Sequence, residues 1–248
     1  MRILISGING AMGHELAKLA VSGCRGAQLC AGVDITDKTD FDVPCSIGFE
    51  GACVDVDVII DFSHHSCTAA LLDFAVTNNI PLVLATTGQS DEEKEMIKAA
   101  SEKIPLFFAA NYSLGVALLI ELAKKTAACM PDAEIEIVEM HHNRKVDAPS
   151  GTALALYNAI KEVREDAVMN PGRSGMKKRE FNEIGIHAVR MGNIVGVHEV
   201  IVGTQNQTIT LKHEAHSRAL FAEGALAAAE FLCGKEPGLY DMKALVEF

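Results

Sequence analysis

No stretch of the sequence approaches the roughly 18 consecutive apolar residues of a membrane-crossing helix. The opening Met1-Arg2-Ile3-Leu4-Ile5-Ser6-Gly7 breaks into glycine too early to form the apolar region of a secretory signal, so no membrane partner is expected and the cytoplasm is the expected location. The 7 cysteines are odd in number and scattered, with no C-x-x-C pair, which argues against a disulfide framework or a zinc site and for a reducing compartment. Positive charge is scarce: 22 Lys+Arg against 33 Asp+Glu leaves a net charge of -11, which disfavours binding to nucleic-acid backbones. An anionic small ligand would need a local basic pocket. No H-E-x-x-H, no G-x-S-x-G, no internal repeat and no low-complexity tract occurs. What remains is a folded chain of 248 residues, 49% hydrophobic and 22% charged, long enough for one or two domains.

Up to residue 110 the chain alternates strands and helices. Ile3 to Ser6 reads as a buried strand ending in glycines; Met12, Leu16, Leu19 and Ala20 recur at helical spacing; Gln28 to Val33 closes a βαβ unit. Strands are predicted over Val56–Phe62, Pro81–Thr86 and Pro105–Ala110, with helices over Ser66–Asn78 and Ser90–Ala100. Ser90 and Glu93 have the spacing of a capping box. This pattern predicts a parallel sheet covered on both faces. After Asn111 it changes: a long helix over Leu114–Met130, a strand over Ala133–Met140, then strands His187–Arg190, Gly196–Val202 and Thr208–His213 joined by Gly/Asn turns, which predict a mixed or antiparallel sheet. Asp166–Asn182 reads as a surface loop and Ser217–Leu232 as an alanine-rich helix ended by Gly234. The expected fold is α/β, a Rossmann-like dinucleotide-binding domain joined to an α+β domain on a mixed sheet.

Gly7-Ile8-Asn9-Gly10-Ala11-Met12-Gly13 lies between the first strand and first helix, where glycines admit a pyrophosphate to helix N-terminal amides. Its G-x-x-G-x-x-G spacing also fits an ordinary glycine-rich turn. Asp34, roughly 20 residues beyond Gly13 and at the end of the second strand, is placed to accept hydrogen bonds from both hydroxyls of an adenosine ribose. A carboxylate there repels a 2'-phosphate and Ile35-Thr36-Asp37 offers no arginine, so NADH is expected in preference to NADPH; Lys38 is the nearby cation that softens this preference. Two further strand-end loops, Ala85-Thr86-Thr87-Gly88 and Ala109-Ala110-Asn111-Tyr112, are candidates to line the nicotinamide pocket, although Thr87-Gly88 also reads as a turn and Asn111 as a helix cap. His64 and His65 are read as structural or peripheral.

The densest set of reactive groups runs from Glu139 to Ala153, after a strand and before a helix. His141, His142, Arg144 and Lys145 can exchange protons and bind carboxylates, and Ser150 is a candidate N-cap whose helix presents the Gly151 and Thr152 amides to an anion. A zinc hydrolase built on His141, His142 and Asp147, a serine nucleophile at Ser150, and a merely solvated loop are the competing readings.

The run Glu136-Ile137-x-Glu139-x-His141-x-x-x-Lys145-x-Asp147-x-Pro149-Ser150-Gly151-Thr152-Ala153 resembles the signature of the 4-hydroxy-tetrahydrodipicolinate reductase (dihydrodipicolinate reductase) family. The resemblance extends to the glycine loop, Thr86-Thr87-Gly88, Ala109-Ala110-Asn111-Tyr112 and Gly234–Met242, hence to essentially the whole chain. It implies a dinucleotide-binding domain from residues 1–112 and 222–248, a substrate and tetramerisation domain from 113–221, and nicotinamide-dependent reduction of a cyclic dicarboxylate in lysine biosynthesis by a homotetramer. It further implies His141 as proton donor and acceptor, Lys145 as proton donor, and His142, Gly151 and Thr152 as holders of the substrate carboxylates. Members often carry Arg where this chain has Ala11, and some carry Arg where Ile35 stands; both departures weaken the case for NADPH.

Overall fold

The computed structural model describes residues 1–246. The chain divides into two compact units, Met1–Leu114 with Ala219–Leu245, and Gly115–Arg218.

The first unit begins with strand β1 (Arg2–Ser6), helix α1 (Ala11–Val21), β2 (Gln28–Asp34), β3 (Cys45–Ile47), β4 (Val58–Asp61), α2 (Thr68–Thr77), β5 (Leu82–Leu84), α3 (Asp91–Ser101) and β6 (Pro105–Phe108). Ile3, Leu4 and Ile5 of β1, Val58, Ile59 and Ile60 of β4, and Leu82, Val83 and Leu84 of β5 have no exposed surface. Strands apolar on both faces belong in a sheet that helices cover on both sides, and each such side chain contributes about 1.5–3 kcal/mol on burial. Ser90 caps α3 as its spacing predicts: its Oγ accepts from the Glu93 amide while the Glu93 carboxylate accepts from the Ser90 amide.

The second unit runs through α4 (Leu114–Cys129), β7 (Glu134–His141), α5 (Gly151–Lys161), β8 (Val168–Asn170), β9 (Glu183–Arg190), β10 (Gly196–Gly203) and β11 (Thr208–Ala215). Its sheet has the order β11-β10-β7-β9-β8; β7 pairs parallel with β9 and antiparallel with β10, and β11 is antiparallel to β10, so the sheet is mixed. Along β7 burial alternates: Ile135, Ile137, Glu139 and His141 turn inward, the two isoleucines meeting Leu119 and Ala123 of α4 and Leu156 and Ile160 of α5. The Asp166–Asn182 segment, read from sequence as a loop, contains β8, whose pairing to the end of β9 supplies the order that its polar composition does not.

The chain then returns to the first unit with α6 (Ala219–Leu232) and β12 (Gly238–Tyr240). The completed sheet has the order β12-β6-β5-β4-β1-β2-β3 with every pair parallel. Successive crossovers run outward in opposite directions from β1 and β4, which makes their C-terminal ends a topological switch point, where open α/β sheets bind ligands. α6 is buried along Ala222, Gly224, Ala225, Leu226, Ala228, Ala229 and Leu232 and packs on α1 and the β4–β6 strands. The approach is closest at Gly224, where a Cβ would lie 1.6 Å from the Tyr112 carbonyl oxygen, so only glycine is accommodated.

Candidate active site

In the first unit, the loop between β1 and α1 is held by backbone. Gly7 has φ +78°, its amide donates to the Val33 carbonyl at 2.8 Å, and a Cβ on it would meet the Phe62 carbonyl at 2.7 Å. Gly13 is as constrained: a Cβ there would sit 2.0 Å from the Gly7 carbonyl oxygen. These glycines let the loop turn tightly against both the first helix and the end of β4. α1 starts at Gly10 with no side-chain cap and no acidic residue in its first turn, which leaves its positive end to a ligand anion. Beside it, Asp34 accepts from the Asn9 amide at 2.9 Å and the Ile35 amide at 2.7 Å, so the carboxylate is fixed at the end of β2 with lone pairs remaining for a ribose.

A cleft of about 630 Å³ opens at this switch point, lined by Gly10, Ala11, Met12, Ala85, Thr86, Thr87, Ala110, Asn111 and Tyr112, all singled out from sequence. Ile8 is directed elsewhere: it is fully buried with its side chain over Gly32, so that residue supplies packing. The Tyr112 hydroxyl donates to the Leu84 carbonyl at 2.9 Å, and burial pushes its pKa well above the ordinary phenol value. Five lining residues were not predicted, Phe62, Ser63, His64, His65 and Phe221. The first four directly follow β4, and the switch-point rule applied to that strand would have found them. His65 Nδ1 lies 3.2 Å from a Glu93 carboxylate oxygen. Behind them Asp61 is 2% exposed, accepting from Thr86 Oγ1 at 2.6 Å and the Ser63 amide at 3.3 Å, with its carboxyl pushed up by burial.

The uncapped helix terminus, the glycines that admit close backbone approach and the fixed carboxylate at the end of β2 fit a nicotinamide dinucleotide.

In the second unit the reactive residues gather at the C-terminal end of β7 and the N-terminus of α5. His141 Nδ1 lies 2.6 Å from Glu139 Oε2, and Glu139, with no exposed surface, takes two hydrogen bonds from the Arg190 guanidinium at 2.8 and 2.7 Å and one from the Ser150 amide at 3.0 Å. Burial pushes the Glu139 carboxyl up, but Arg190, His141 and the Ser150 amide together outweigh it and hold the pKa below the ordinary value. Ser150 caps α5, its Oγ accepting from the Ala153 amide, so Gly151 and Thr152 open a helix whose first turn carries no acid. Ser150 Oγ also lies 3.1 Å from Nε2 of His198, a β10 residue whose pKa is pushed down to about 4, first by burial and then by His141. In the loop, Lys145 pairs with Asp147 at 2.8 Å, Arg144 donates to Asn193, and the His142 pKa is lowered by burial and by the charges of Arg144, His141, Arg218 and Lys145. Among the described residues no cluster of metal ligands occurs, and Ser150 is occupied as a helix cap. The arrangement is a cationic anion site with a carboxylate-oriented histidine.

Models of the two halves of one family match the chain: the N-terminal part of dihydrodipicolinate reductase over residues 1–112, and its C-terminal part over residues 115–246. The 4-hydroxy-tetrahydrodipicolinate reductase of Clostridium novyi (strain NT) is 44% identical over 248 residues, 99% of this chain and 98% of that protein. The chain belongs to the dihydrodipicolinate reductase family. The family's enzyme from Caldanaerobacter subterraneus subsp. tengcongensis is 46% identical over 249 residues, 100% of this chain and 98% of that one. Among solved structures, a dipicolinate-bound dihydrodipicolinate reductase from Paenisporosarcina sp. TG-14 superposes with a TM-score of 0.84 at 26% identity, covering 99% of both chains.

Proposed function

We propose that this chain is a 4-hydroxy-tetrahydrodipicolinate reductase, an oxidoreductase that converts the cyclic dicarboxylate 4-hydroxy-tetrahydrodipicolinate to tetrahydrodipicolinate in the diaminopimelate route to lysine, the ring gaining a hydride and a proton and losing its 4-hydroxyl as water. The observation that carries the reading is the cluster around His141, in which a buried carboxylate orients a histidine beside a basic loop and an acid-free helix N-terminus. It is the chemistry needed to hold a dianion and move a proton next to it. The first unit binds the dinucleotide, with Gly7, Asn9, Gly10, Ala11 and Met12 at the pyrophosphate, Asp34 at the ribose, and Ala85–Thr87 and Ala109–Tyr112 at the nicotinamide. The reduced nicotinamide, when bound, supplies a hydride. His142 and the Gly151 and Thr152 amides hold the substrate carboxylates, Lys145 Nζ donates a proton, and His141 Nε2 gives and takes one. Holding the ring for attack is the larger contribution; proton delivery adds on the order of 10² to 10⁴-fold.

Asp34 and the 91% exposed Ile35 beside it favour NADH over NADPH. A homotetramer is supported by the sheet face opposite α4 and α5, where Val138, Met140, Val189 and Ile201 are only half-buried. A cytoplasmic location is supported by the 7 free thiols. The test is to mix the protein with NADH and the condensation product of pyruvate and aspartate semialdehyde, follow the nicotinamide absorbance, and identify the product by mass. Consumption with tetrahydrodipicolinate formed is expected, with kcat/KM higher for NADH than for NADPH. NADH binding without consumption would leave a sensor module and overturn the assignment.

A further inference from the structure

The geometry points to Glu139 and Arg190 as a positioning pair that fixes which nitrogen of His141 carries its proton, and so which one is available to substrate. The inference rests on the proton-handling role proposed for His141 above. Two residues apart on a strand, Glu139 and His141 share a face of β7, and β9 brings Arg190 into register directly opposite His141. The glutamate is fully buried, receives both arms of the guanidinium and the Ser150 amide, and still has an oxygen 2.6 Å from His141 Nδ1. An ionised carboxylate only accepts hydrogen bonds. The proton between them therefore sits on Nδ1, and Nε2 is left as the working nitrogen. Nε2 is the atom that lies over Gly196, where a Cβ would approach it to 3.2 Å, so the absent side chain keeps that nitrogen approachable. Arg190 also donates to the Asp147 carbonyl at 2.7 Å, which ties the orientation of His141 to the loop that carries Lys145. His198 on β10 faces the same ring at a centroid distance of 5.1 Å but makes its own bond to Ser150, so it does not compete for Nδ1.

Glutamine at 139 keeps the shape but can present an amide N–H to Nδ1, which favours the other tautomer. Protein carrying ¹⁵N-labelled histidine, with the His141 signals assigned by their loss in H141Q, is expected to show the Nδ1–H tautomer in the wild type and a shift toward Nε2–H in E139Q. Turnover should fall on the order of 10²-fold in E139Q, while the KM for the dicarboxylate and the Kd for NADH stay within about threefold. In the H141Q background, E139Q should cost nothing more. An unchanged tautomer in E139Q, or an equal further loss in the H141Q background, would overturn the proposal and leave Glu139 as a purely structural residue. The spectra need no turnover, so a wild type that fails to consume NADH would sink the functional assignment while leaving this test intact. R190K, which keeps the charge and loses the two-armed grip, provides a second variant should E139Q not fold: a mixed tautomer with an intermediate loss of kcat is expected, and a wild-type spectrum would overturn the pairing.

Discussion

Acidification should unfold this protein partly through one histidine. His198 is 4% exposed on β10, and its pKa is pushed down to about 4, mainly by burial. In the unfolded chain it returns to about 6.5. The folded state thus binds the proton less tightly than the unfolded state, and the stability linked to His198 is complete above pH 6.5 and declines as pH falls toward 4. Integrating between these values, moving from pH 7 to pH 5 removes roughly 2 kcal/mol. His198→Gln offers Ser150 an amide but cannot titrate, so it carries the loss of packing and lacks the pH dependence. His142 and His213, also pushed down first by burial, titrate in both proteins, so the difference carries only the weaker charge coupling between His213 and His198. The chain contains 0 Trp, so urea unfolding is best followed by far-UV circular dichroism. The stability gap between wild type and H198Q should shrink by about 2 kcal/mol from pH 7 to pH 5. A gap that holds constant across that range would refute the argument that His198 is buried neutral.

Asp61 titrates with the opposite consequence: its carboxyl is pushed up by burial, so the stability linked to its proton is present at low pH and lost as pH rises through the folded value. D61N, which keeps an acceptor for Thr86, should therefore gain on the wild type in melting temperature as pH rises from about 4, the ordinary carboxylate value; a constant difference would count against a protonation-linked penalty. G13A drives a Cβ to 2.0 Å from the Gly7 carbonyl and must displace the loop, so NADH affinity measured by calorimetry should fall at least tenfold, with wild-type affinity ruling out a role for this loop. S150A removes the α5 cap and the partner of His198 Nε2, a loss of about 1–2 kcal/mol read from the urea midpoint at pH 7, and an unchanged midpoint would mean the cap is replaced.

Local pattern carried the reading as far as local physics decides the structure. β1, β4 and β5 are apolar runs between turn residues and were legible because they are buried on both faces; the α3 start was legible because Ser90 and Glu93 satisfy each other within one turn. β3, β8 and β12 were not legible. Each is 3 residues long and sits at a sheet edge, held by backbone pairing to a neighbour, and pairing leaves no periodicity in so short a segment. The site divides in the same way. The glycine loop, Asp34 and the His141–Thr152 run are contiguous or follow a fixed spacing. Asp61, Arg190 and His198 reach their places only through strand register, Arg190 lying 51 positions from the Glu139 it grips. Glu139 itself was nearly within reach: the predicted strand stops at Met140, and one more residue brings in His141, which shares a face with the residue two before it.

The Glu139–Arg190 pair also resolves a conflict inside the proposed chemistry. A site for a dianion needs positive potential, and a bare carboxylate that oriented His141 would act against it, since like charges separated by the width of an imidazole and its two hydrogen bonds, about 7 Å, cost about 2 kcal/mol at an effective dielectric of 20. Arg190 cancels that charge at its source, with two hydrogen bonds to the carboxylate, so the histidine is oriented without subtracting from the field of Lys145, Arg144 and the α5 terminus. The two members of the pair should then separate in kinetics. R190M exposes the substrate to an uncompensated Glu139 and should raise the KM for the dicarboxylate at least tenfold. E139Q leaves Arg190 uncompensated and positive, and should leave KM unchanged or lower it while kcat falls. Steady-state kinetics at fixed saturating NADH distinguishes these patterns, and equal KM increases in both variants would mean that the pair supports only the fold around His141.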